Sequence, residues 1–147
     1  MTTRNITLSA FALNAHQGRT QRPLNILGER TLVKLGNADT DGAVAIFHQT
    51  IPPLAGPPPH RHANEDEWFY VLEGQITVEV DGERSVLQGG GSAFVPCGTV
   101  HALRNFGNTR AQILALATPG RFQHFFEDVS ALSRGETATD LLSKVRS

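Results

Sequence analysis

The chain has 147 residues, enough for one domain with a real hydrophobic core. Its 13 basic and 14 acidic residues give a net charge of -1 with no basic run, which argues against nucleic acid or an anionic membrane surface as partner. No apolar run is long enough for a transmembrane helix, the first residues lack a signal-peptide pattern, and the single cysteine, Cys97, fits a reducing compartment; the expectation is a cytoplasmic protein.

Up to about residue 23 the pattern is weak, as in an arm or edge segment. RTLVKLG then reads as a short strand carrying Leu32, Val33 and Leu35, ended by the turn formers of GNADTDG. AVAIFHQTI is β-rich and apolar on both faces, which predicts a strand buried between two layers. Pro52, Pro53 and Pro57 to Pro59 remove ladder donors and place the next stretch at a rim. A strand starts at Glu67 with WFYVL, turns at Glu73-Gly74 and continues as QITVEV, half-buried through Ile76, Val78 and Val80. Asp81-Gly82 is a two-residue hairpin signal, and ERSVLQ returns from it. GGGSAFVP and HALRNF make two strands around a proline turn, and AQILALATP makes another. Short strands at this spacing predict an all-β sandwich or barrel, with its core over about 24–118. After Thr118-Pro119-Gly120 the period changes: Phe122, Phe125, Phe126, Val129 and Leu132 recur as a helix does. The stripe is read as a docking face and not as a ligand box. Gly135 is its expected stop, and a second short helix with Leu141, Leu142 and Val145 is expected after Thr139, so that helical segments occupy about 121–145. Without internal repeats or linkers, 1–147 reads as a single domain.

The chemistry concentrates in PPPHRHANEDEWFY, Pro57 to Tyr70. His60 and His62 share a face of an extended chain, because side chains alternate, and neutral imidazole is the commonest metal-ligating side chain. A stiff, donor-poor proline lead-in fixes their approach with little entropy left to lose. Of the acids that follow, Asp66 falls on the opposite face from Glu67, while parity alone leaves Glu65 and Glu67 open. Glu65 and Asp66 are expected to be solvated rim charges. His16, His48 and His124 read as surface or satisfied core groups, His48 holding the most interest because its strand leads into the site. Free cysteine is among the most buried residue types, so Cys97 is expected to be a packed thiol.

A second pattern lies in GGSAFVPCGTVHALRN: Gly90, Pro96, Gly98, His101 and Asn105 in the arrangement Gly-x5-Pro-x-Gly-x2-His-x3-Asn. Its Gly, Pro and Gly alone would coincide roughly once in several thousand positions. This resembles the second motif of the cupin superfamily. The first cupin motif, Gly-x5-His-x-His-x3-4-Glu-x6-Gly, is matched by His60, His62, Glu67 and Gly74, with one departure: its opening glycine falls at Leu54, and Gly56 sits two residues later. The tail TPGRFQHFFEDV also looks like that of small cupins of the quercetin-dioxygenase-like kind. The resemblance implies a jelly-roll β-barrel of six to eight strands holding one divalent transition metal (Fe, Mn, Ni, Co or Zn) through His60, His62, Glu67 and His101. It also implies a homodimer, for which the N-terminal arm and the outward aromatics Trp68 and Tyr70 are the supporting features.

Three imidazoles and one carboxylate nearly saturate zinc but leave positions open on metals of higher coordination. Such a metal can act as a Lewis acid, and Glu67 can serve as a general base. The expected function is that of a metal-dependent dioxygenase acting on a small enolisable or phenolic compound. A non-oxidative isomerase, cyclase or decarboxylase, or a non-catalytic ligand-binding cupin, would use the same residues.

Overall fold

The computed structural model describes residues 7–134. Nine strands and one helix follow in chain order: β1 (Leu24–Ile26), β2 (Glu29–Leu35), β3 (Ala45–Ile51), β4 (Asp66–Glu73), β5 (Gln75–Val80), β6 (Glu83–Gln88), β7 (Ser92–Val95), β8 (His101–Arg104), β9 (Ala111–Thr118) and α1 (Phe122–Ser133). All strand pairings are antiparallel and form two sheets, ordered β1-β2-β3-β9-β4-β7 and β6-β5-β8. The sheets do not join into a closed cylinder among the described residues. They face each other as a jelly roll, with one core built on Phe47, Ile51, Val71, Ile76, Val78 and Ile113.

Period two governs which side chains enter that core. β3 alternates buried Ala45, Phe47, Gln49 and Ile51 with half-buried Ile46, His48 and Thr50. The strand is thus covered on one face, not sandwiched on both as its apolar composition suggests. β4 points Glu67, Phe69 and Val71 inward, and β9 lines up Ala111, Ile113, Ala115 and Ala117 beside them. Ala115, opposite both, keeps the β9 surface low between the bulkier Phe47 and Phe69. Asp81-Gly82 makes the expected hairpin, both residues having positive φ (49° and 83°). A hairpin the sequence reading does not single out joins β1 to β2 through Leu27 (φ 54°) and Gly28 (φ 90°). Leucine is a poor left-handed residue, so no turn signal marks it. The Asn25 side chain instead accepts from the Gly28 amide at 2.8 Å.

α1 docks beside β1 and over Phe47, with Phe47–Phe126 ring centroids 4.7 Å apart. Its buried residues are Phe122, Phe126, Ser130 and Ala131, while Leu132 faces solvent. The stripe is therefore rotated from the expected one, ending on Ser130, whose hydroxyl accepts from the Asn25 amide at 3.0 Å. Gly135 and the second helix expected after Thr139 lie outside the described residues.

Candidate metal centre

The two histidine segments are stitched together by backbone before any side chain is considered. His60 and His101 form an isolated antiparallel bridge, amide to carbonyl in both directions, at 2.9 and 2.8 Å. Gly98 donates to the His62 carbonyl at 2.7 Å, with its positive φ of 81° supplied by glycine without strain. The Asp66 carboxylate accepts from the Cys97 amide at 2.8 Å. Asp66 is accordingly not a free rim charge: it pins the Pro96-Cys97-Gly98 turn to the start of β4. Glu65 is also half-buried, its carboxylate 3.6 Å from the Arg121 guanidinium at the entry to α1.

On this frame His60, His62, Glu67 and His101 come together, each offering one ligand atom, all within 4.8 Å of one another. Glu67 and His101 are buried. His60 Nδ1 lies 2.7 Å from the Pro58 carbonyl and His101 Nδ1 lies 3.0 Å from that of Thr99. A carbonyl can only accept, so both Nδ1 atoms carry hydrogen and both Nε2 atoms are left to point inward. His101 Nε2 sits 2.9 Å from Glu67 Oε2. Between a carboxylate and a ring nitrogen there, something positive must stand, either a proton or a cation. Burial disfavours the His101 imidazolium, but the hydrogen bonds to Glu67 and to Thr99 and the Glu67 charge outweigh it and raise its pKa above the usual value. His62 behaves oppositely. Burial, followed by the Glu67 charge that opposes it, leaves its pKa lowered. Its Nε2 is buried without a hydrogen-bond partner, 3.7 Å from Glu67 Oε1. A neutral imidazole with a buried, unpartnered lone pair facing a carboxylate is the arrangement that a divalent cation satisfies. The residues present fit a metal.

Three of the four, His60, His62 and Glu67, form part of the wall of a cavity of about 230 Å3. Most of that wall is apolar, with Phe69, Leu103, Ile113, Phe122 and Phe126 among its members, and Phe125 lines it too while 37% exposed. The His62 ring meets Phe122 edge-on at 4.8 Å. The phenylalanine stripe thus both docks the helix and walls the cavity, two roles the sequence reading treats as alternatives. Glu29 and Gln49 also line this cavity, and both are buried. The sequence reading passes over them. The signal was present in parity, since Gln49 shares the inward face of Ala45, Phe47 and Ile51, and Glu29 that of Thr31 and Val33.

Other singled-out residues lie elsewhere. Cys97 is exposed, not packed: it occupies the middle of a tight turn whose backbone is held and whose side chain has no wall to meet. His48 is on the outer face of β3, its pKa lowered by burial, which outweighs the opposing hydrogen bond with Gln112. His16 is exposed, and His124 lies 3.8 Å from Glu127 on α1.

A two-sheet jelly roll that gathers three imidazoles and a carboxylate beside an apolar cavity defines a class of small β-barrel proteins with a candidate metal centre. Residues 47–117, just under half of the chain, match the family model described as a cupin domain. It is 37% identical over 67 residues to quercetin 2,3-dioxygenase of Bacillus subtilis, covering 46% of this chain and 20% of that protein. It is 28% identical over 114 residues to the tetracenomycin polyketide synthase protein TcmJ of Streptomyces glaucescens, covering 78% and 70%. The chain spans between a fifth and a half of the length of the first curated relatives it matches. Among solved structures, a predicted oxalate decarboxylase from Thermotoga maritima superposes with a TM-score of 0.63 at 23% identity, over 73% of this chain and 97% of that one. KdgF from Halomonas sp. does so at 0.59 and 22%, over 66% and 84%. At such identities these structures speak to the fold.

Proposed function

We propose that His60, His62, Glu67 and His101 hold one divalent transition metal and that the chain, folded as one domain, is a metal-dependent dioxygenase of small enolisable or phenolic compounds. The observation that carries this reading is the convergence of the four residues, three of which (His60, His62 and Glu67) line a largely apolar cavity with space for a ligand. A volume of about 230 Å3 is below the roughly 300–1,000 Å3 of pockets for drug-sized ligands, which favours a small substrate. None of the lining residues is Lys or Arg, so a phosphate or carboxylate on the substrate would find no counter-charge away from the metal itself. When bound, the metal supplies Lewis acidity to an enol or phenol oxygen and, where redox-active, electrons for dioxygen. The residues do the rest. The histidines hold their Nε2 atoms inward through the carbonyls behind them. Glu67 takes the hydroxyl proton on a carboxylate oxygen, and the phenylalanines keep water from it. Oxygen uptake that depends on added phenolic substrate, measured on metal-loaded protein, tests the reading; turnover that proceeds equally under strict anaerobiosis would overturn it.

A second reading has its own support. The relative aligned over most of both chains is a polyketide synthase protein and not the dioxygenase. A non-oxidative cyclase or isomerase would use the same Glu67 as base, and anaerobic turnover would select it.

We also propose a homodimer. The outer face of the larger sheet carries Trp68 opposite both Phe94 and Leu116, and Tyr70 opposite Leu114. Phe94 is 60% exposed, so this apolar strip is incompletely covered in one chain. Light scattering should give twice the chain mass, and a Leu116→Glu variant should run as a monomer. A wild-type monomer at high concentration would refute it.

A further inference from the structure

Beyond the four candidate ligands, two polar side chains line the cavity, and nothing in the metal chemistry requires them. Glu29 and Gln49 are 2% and 5% exposed. They stand on adjacent strands, where Thr31 lies directly opposite Gln49. The Gln49 amide nitrogen lies 3.3 Å from Glu29 Oε2 and 3.3 Å from Thr31 Oγ1, so its two hydrogens are aimed at its neighbours and its carbonyl oxygen remains. Burial pushes the Glu29 carboxyl up to about 7, so at neutrality about half of it is the carboxylic acid, able to donate as well as accept. A buried acid among apolar side chains is destabilising unless it serves a purpose.

Its position relative to the ligands suggests that purpose. Glu67 shares a row of the sheet with Ala117 and Ala45, and Gln49 lies four residues along β3 from Ala45. Four strand residues are about 13 Å. The polar pair and the metal residues therefore mark two separated ends of one cavity, with Phe69, Phe122 and Phe126 among the walls between.

We propose that Glu29, seated by Gln49, is the distal recognition group of this cavity, taking an uncharged hydroxyl at the far end of an aromatic ligand whose near end carries the metal-binding oxygens. This rests on the reading of the cavity as a metal-anchored substrate site. An anionic far end is disfavoured, since no basic side chain lines the cavity. A wholly apolar far end would make no use of the Glu29 carboxyl oxygen that Gln49 does not bond.

The test uses a matched pair of catechols, 3,4-dihydroxybiphenyl and 3,4,4′-trihydroxybiphenyl, titrated anaerobically by calorimetry into protein loaded with nickel, which keeps positions open beyond four ligands. Wild type should bind the trihydroxy compound at least about tenfold more tightly, the equivalent of one net hydrogen bond to a buried partner. Glu29→Leu should abolish that preference while leaving the affinity for the dihydroxy compound within about threefold. Glu29→Gln, nearly isosteric, should keep part of it. Nickel content and melting temperature of each variant confirm that it is folded and loaded. If both compounds bind wild type equally, or if the preference survives Glu29→Leu, the distal assignment is overturned and the metal-anchored reading stands. If neither compound binds nickel-loaded wild type, that reading fails and this inference falls with it.

Discussion

Glu67 touches both His101 and the unpartnered side of His62, so it is the residue whose charge the site depends on. Glu67→Gln keeps the shape and removes the anion. Loss of a group that merely supports a ligand lowers metal affinity roughly 10–100-fold, and loss of a ligand should exceed that. Elemental analysis should find about one metal per wild-type chain and little in the variant. Glu65→Gln, which breaks a partly exposed pair with Arg121, should retain its metal and lose less than about 1 kcal/mol in urea unfolding. The reverse outcome would move the ligand by two residues. Glu29 gives a prediction of a different kind. Its pKa is raised from 4.5 to about 7 on folding, so the folded state holds its proton more tightly than the unfolded chain. That contribution to stability is fully present below pH 4.5 and is lost as pH rises through about 7, on the order of 3 kcal/mol in all. Thr31 and Gln49, beside it, are neutral, and the other polar groups on the same cavity wall, His60, His62 and Glu67, are common to wild type and variant. The difference between metal-free wild type and Glu29→Gln therefore isolates Glu29. The variant should gain on wild type between pH 5 and pH 8 by a few kcal/mol, measured by urea unfolding at each pH.

The segment between β3 and β4 shows what a sequence pattern can and cannot reveal about an element. Glycine is absent from the cupin slot at position 54, yet Leu54 keeps the left-handed conformation (φ 67°) that the slot calls for. Gly56 has a separate duty: a Cβ built there would collide with the Leu103 carbonyl oxygen. Leu54→Gly should raise stability by roughly 1 kcal/mol, since an exposed leucine loses about that much in the left-handed region. Gly56→Ala should displace the loop from β8 and lower metal occupancy. Asn105 closes the same region, fully buried, donating to the Ile51 and Thr109 carbonyls at 2.9 and 2.8 Å and accepting from the Gly107 amide. Asn105→Ala strands three backbone groups and should cost about 2–4 kcal/mol in chemical denaturation. The strands of the two motifs were readable because turn residues punctuate them and alternation fixes their faces. β1 was not, as Leu27 hides its turn. The ligand candidates were readable because spacing marks them in sequence. Glu29 and Gln49 belong to the site through a cavity, and a cavity is formed by strands far apart in the chain. Cys97 misled because burial statistics know nothing of a turn whose backbone, and not its side chain, is held.

For the molecule as a whole, the metal would bind the folded chain alone, because its ligands come from two segments that only the jelly roll brings together. At a free metal concentration about 100 times the dissociation constant, binding adds about 2.7 kcal/mol. For a chain of this size that is a rise of roughly 5–10 °C in melting temperature, which chelation should remove and added metal restore. A melting temperature indifferent to both would sink the metal assignment.

The backbone bridge between His60 and His101 has a consequence for how such a protein is handled. It is made by amides and carbonyls, so it persists whichever ion is present and also without one. The imidazoles of His60 and His101 thus keep their place, and a divalent ion of suitable size would meet them already aimed. The metal found in a purified sample should then mirror the medium in which the cells grew. Loading a stripped sample with one metal at a time, and comparing turnover across them, is the way to learn which metal the chemistry needs.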